Sequence, residues 1–97
     1  MENNAMIVGD LDSLLNVLDA RTHVSVFNQY DGKQHLVFSN VPVYEIIHIF
    51  KGYSSLTNYK VVGITFGITT SIMVEPARDN TLKDYEVGTD LHRALFS

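Results

Sequence analysis

Cysteine and tryptophan are missing from this chain of 97 residues, and proline occurs only twice. Without cysteine there is no disulfide scaffold, no thiolate zinc site and no cysteine nucleophile. Basic side chains are scarce as well, seven Lys and Arg against eleven Asp and Glu, for a formal charge of −4. A protein that grips nucleic acid by its phosphates needs a basic face, so nucleic-acid binding is not expected. Long apolar runs are also lacking. The longest uncharged stretch, residues 61–74, is broken by Gly63, Gly67, Thr65, Thr69, Thr70 and Ser71. It falls short of the about 20 apolar residues that a membrane-spanning helix needs. The amino terminus carries no basic region followed by an apolar run, so no secretory signal is read there. Residues 1–6 read as a flexible leader, with Met6 a candidate natural start, and a cytoplasmic protein without membrane contact is expected.

What is present suits one small core. Hydrophobic residues make up 45% of the chain, and the length fits a single domain over residues 1–97. Asp10 precedes Leu11, Leu14, Leu15 and Leu18, the spacing of one helical face, and can cap the free backbone N–H groups. This predicts a helix over 10–20. Two β-rich runs follow at 22–28 and 35–39, with Asp31-Gly32 between them. That dipeptide suits the positive φ angles of a type I′ turn, so a hairpin is predicted with Tyr30 opposite Lys33, Asn28 opposite His35 and Val26 opposite Val37. One face would then carry Val24, Val26 and Val37 and the other Phe27, Leu36 and Phe38, so both faces call for cover.

Ser39-Asn40-Val41-Pro42 reads as a helix entrance, and Val43, Ile46, Ile47 and Phe50 keep helical spacing to Lys51-Gly52. A second helix is predicted over 41–51, then a loop. Between residues 61 and 74 the apolar side chains Val62, Ile64, Phe66, Ile68, Ile72 and Val74 share even parity, which means strand. A hairpin turning near 67–69 would pair Ile64 with Ile72 and Val62 with Val74. Residues 75–97 form a charged tail, with a short helix from Thr89 through Leu91, Ala94 and Leu95. The expected fold class is α+β, order α-β-β-α-β-β, with helices on an antiparallel sheet of about four strands.

Motifs of chemistry are sparse. Asp10-x-Asp12 lacks the further ligands and the glycine of a calcium loop, and helix capping explains both carboxylates. His23, His35, His48 and His92 fall into no metal-ligand spacing. Gly52-Tyr53-Ser54-Ser55 is not a nucleophile elbow. No catalytic, cofactor or metal site is assigned from these patterns. What stands out is apolar surface in excess of what so small a domain covers, marking Phe27, Leu36, Phe38, Leu95 and Phe96 as a candidate interface.

The segment from Val8 through Asp19, then Thr22-His23-Val24-Ser25-Val26 and Asn40-Val41-Pro42, resembles small uncharacterised proteins of Gram-positive bacteria and their phages or mobile elements. Those also open with a short leucine helix, a strand hairpin and a Val-Pro or Ile-Pro step. The resemblance spans the first half and implies no functional residue. The expected function is a non-enzymatic, acidic protein-interaction module, self-associating or bound to a protein partner. The alternative is a small enzyme or ligand-binding subunit with a site formed between protomers, drawn from Asp84, Glu86, Asp90 and His92.

Overall fold

The computed structural model describes residues 9–96, so the leader and the status of Met6 lie outside the described residues. Helix α1 (Leu11–Val17) starts where predicted, the Asp10 carboxylate accepting the Ser13 N–H at 2.8 Å. Leu11, Leu14 and Leu15 turn into the core. It ends sooner than residue 20 because Asp19 builds a turn instead. The Asp19 side chain accepts the Arg21 N–H, and its carbonyl accepts the Thr22 N–H at 2.9 Å.

Strands β1 (His23–Tyr30) and β2 (Lys33–Pro42) form the first hairpin. Asp31 and Gly32 adopt φ of 55° and 73°, the left-handed pair a type I′ turn requires. Tyr30 faces Lys33 and Asn28 faces His35, as expected. Beyond Phe27–Leu36 the register shifts, and Phe38 rather than Val37 stands opposite Val26. Val37 is the extra residue of a bulge, and both it and Phe38 enter the core. The predicted grouping of Phe38 with Phe27 and Leu36 is thereby corrected. A second shift, with Asn40 at φ 56° and its N–H on Ser25 Oγ at 3.0 Å, brings Val41 opposite Val24. Because β2 continues through Pro42, helix α2 (Val43–Ile49) begins two residues later than predicted.

A 3-10 helix over Ser54–Asn58 leads to β3 (Tyr59–Thr65), which pairs with β4 (Thr70–Pro76). Ile64 meets Ile72 as predicted, but Val62 bulges out and leaves Val61 opposite Val74. Val61 is buried and Val62 exposed in consequence. A second 3-10 helix, Thr81–Tyr85, and helix α3 (Asp90–Phe96) complete the described chain. The Thr89 hydroxyl caps α3 by accepting the His92 N–H at 3.2 Å.

The chain is thus an α+β domain in the expected element order, closed by α3. Its sheet runs β2-β1-β4-β3, with antiparallel hairpins on either side. The central pair is parallel, Val24 beside Thr70 through Asn28 beside Val74, so the sheet is mixed rather than wholly antiparallel. Leu11, Leu15, Ile46, Leu56 and Leu82 gather with Val24, Val26, Ile72 and Val74 in one core cluster. One face of the hairpin is therefore covered. The alternate residues of β1 and β4, Ser25, Phe27, Gln29, Ser71, Met73 and Glu75, are half-buried. Short contacts flank both sheet edges: Val61 N–H reaches Gly9 O at 3.1 Å, and Val87 N–H reaches Leu36 O at 2.8 Å.

Candidate functional site

Even-numbered residues of β1 face the core, which carries Asn28 inward near the Asp31-Gly32 turn and makes it wholly buried. Its Nδ2 donates to Asn80 Oδ1 at 2.6 Å, while its Oδ1 has no partner. Directly across the ladder stands His35, with Nδ1 3.4 Å from Glu86 Oε1 and a buried Nε2 that is likewise unpartnered. The Tyr30 ring stacks on the imidazole, 4.0 Å between centroids and 10° from parallel. Its hydroxyl donates to Glu86 Oε2. Partial burial, then the bond to Glu86 and the charges of Glu86 and Asp31, push the Tyr30 phenol up to about 12. The phenol stays a donor at neutral pH, so it occupies Glu86 Oε2, while His35 Nδ1 lies beside Oε1. That carboxylate acts as a clamp between chain segments and is not free to serve as a general base.

The other members of the C-terminal polar group do not converge on it. Asp84 is exposed, Asp90 pairs with Arg93 of its own helix, and the His92 ring leans on Phe96 at 4.7 Å. Among the described residues no three His, Asp or Glu side chains come together as a metal site. A shallow cavity of about 310 Å³ lies beside Gly9, Asp10, Thr57, Tyr59, Lys60 and Ala77. Its carboxylate, Asp10, is already used in capping α1.

The five apolar residues singled out from sequence separate into three settings. Phe27 and Leu36 oppose each other across the hairpin, both half-buried. Phe38 is fully buried between Phe50, edge-on at 5.8 Å, and Phe96 at 6.1 Å, so its side chain is part of the core and not of a surface. Phe96 is half-buried against that ring, and Leu95 is exposed.

Other apolar side chains are more exposed than these: Ile68, Val17 at the end of α1, and Phe66. Residues 66–69 form the β3–β4 turn, where Phe66 is 67% exposed and Ile68 fully so. The turn falls where the hairpin is predicted to reverse, near 67–69, and the even parity that Phe66 and Ile68 share with buried Ile64 and Ile72 loses meaning once the chain leaves the ladder. Thr69 Oγ1 donates to Asn40 Oδ1 at 3.2 Å, tying this turn to the end of β2. Tyr44, also exposed, stands at the same end of the sheet, since its N–H bonds Ala20 just ahead of β1.

Comparison with family models, with curated proteins and with solved structures gave no match.

Proposed function

We propose that this chain is a small acidic protein-interaction module without a catalytic role, capable of self-association and of the kind that phages and mobile elements encode. The carrying observation is the β3–β4 turn, which presents Phe66 and Ile68 to solvent at a cost that a monomer gains nothing from. Aromatic and aliphatic residues held out on a hairpin make suitable anchors for a pocket on a partner. The net charge of −4 favours a basic partner through long-range attraction. Support from the sequence is the first-half resemblance, which rests on fold-determining residues.

The test is a Phe66→Ser/Ile68→Ser double variant beside the unchanged chain. Both side chains lie outside the core, so the variant is expected to keep its denaturation midpoint, within about 0.5 kcal/mol. Light scattering over a concentration series, and affinity capture from host lysate, should then show mass or a bound protein that the variant loses. Identical behaviour of the two chains in both assays would refute the reading.

A further inference from the structure

We infer that residues 86–96 are a built-in competitor, seated in a groove that receives a partner segment of the same chemistry: a carboxylate followed, ten positions on, by an aromatic residue at the end of a short helix. This goes beyond the module reading and uses a different surface, so either stands if the other fails.

The attachment of the C-terminal region changes character along its length. The 3-10 helix Thr81–Tyr85 is anchored by fully buried Leu82, whose N–H donates to Tyr59 Oη at 2.6 Å. Among the described residues from Glu86 onward no side chain is fully buried, and α3 contributes no buried residue. Glu86 docks on Tyr30 and His35, Val87 N–H docks on Leu36 O at the outer edge of β2, and the Phe96 ring rests edge-on against Phe38. Most of the segment's other bonds are internal, but the Thr89 hydroxyl also donates to Asp84 O, in the 3-10 helix ahead of it, at 2.8 Å. Thr89 Oγ1 donates to Glu86 O at 2.8 Å, Arg93 Nη1 donates to Gly88 O at 3.0 Å, and Arg93 pairs with Asp90. The Thr89 hydroxyl reaches Glu86 O inside the segment, so the segment can keep its own bonds and leave as a unit once the Asp84 contact is released. Gly88, at φ +99°, supplies a backbone conformation that strains any other residue.

Departure would uncover a strand edge, a stacked phenol and imidazole that bind a carboxylate, and the Phe38 ring. An exposed edge beside an aromatic seat is a recurring way of capturing peptides. The occupant's chemistry is fixed by what fills the seat in cis. Trans binding is then weakened in proportion to the fraction of molecules in which the seat is open.

The experiment uses the full-length chain, and a synthetic peptide of residues 84–96 as probe. Glu86→Gln in the protein weakens only the cis segment and leaves Tyr30, His35 and Phe38 in place. Calorimetry or fluorescence anisotropy should show the peptide binding this variant about tenfold tighter than the unchanged chain, the scale of one charge-assisted hydrogen bond. A peptide carrying the same Glu86→Gln change should bind it more weakly. Phe96→Ala, at the other end of the segment, should act in the same direction. Hydrogen exchange should accelerate in residues 86–96 of both variants and stay unchanged in the sheet. Equal affinity for all three proteins, no binding up to millimolar peptide, or acceleration that spreads through the sheet would each overturn the inference.

Discussion

Tyr30 shows how one side chain can report on a whole segment. Its phenol is held protonated by partial burial first and by Glu86 next, with a pKa of about 12 in place of 10.0. A folded-state value above the unfolded one favours the protonated fold. That contribution is therefore complete below pH 10 and is lost as pH rises through about 12. The buried Tyr59 phenol is raised in the same sense, by its own burial. Denaturant midpoints measured from pH 9 to 12 should fall steeply for the unchanged chain and less steeply for Tyr30→Phe, with the Tyr59 share remaining. The sequence placed Asn28 opposite His35 beside the turn that carries Tyr30, but did not join Glu86 to them. Tyr30 and His35 are five residues apart, but Glu86 lies 56 residues from Tyr30, and neither spacing nor composition connects them.

At the scale of elements, local signals decided what they govern and no more. Asp31-Gly32 set the turn and the first pairs of the ladder. Gly32, at φ 73° with open space where a Cβ would sit, matters for backbone conformation alone. Gly32→Ala should thus lower stability by about 1 kcal/mol, the cost of a left-handed alanine, measurable by denaturant titration. The bulges at Val37 and Val62 escaped the reading for one physical reason. Both parity patterns hold for an unbroken ladder, and an inserted residue exchanges the faces of everything beyond it. Phe38 moved into the core that way, and Val62 moved out. The helix caps, by contrast, are short-range bonds, so Asp10 and Thr89 were readable where they stand.

For the whole molecule, helix-hairpin-helix-hairpin order was legible because each unit is local, and the way the hairpins meet was not. Pairing of β1 with β4 joins residues 46 apart, such as Val26 and Ile72, with no turn between them to reveal it. The same distance explains why the exposed turn at residues 66–69 and the half-buried Phe27–Leu36 pair could not be told apart as surfaces beforehand. That parallel seam has a further consequence, because the sheet divides along it into two contiguous pieces of chain. Residues up to Gly52 supply β2 and β1, and those after it supply β4 and β3. Gly52 is exposed, in a turn with nothing within 4 Å of where a Cβ would sit. Two polypeptides divided at Gly52 should stay unfolded apart and regain strand and helix signal by circular dichroism when mixed. The domain would then work as a split reporter, assembled only when its two halves are brought together.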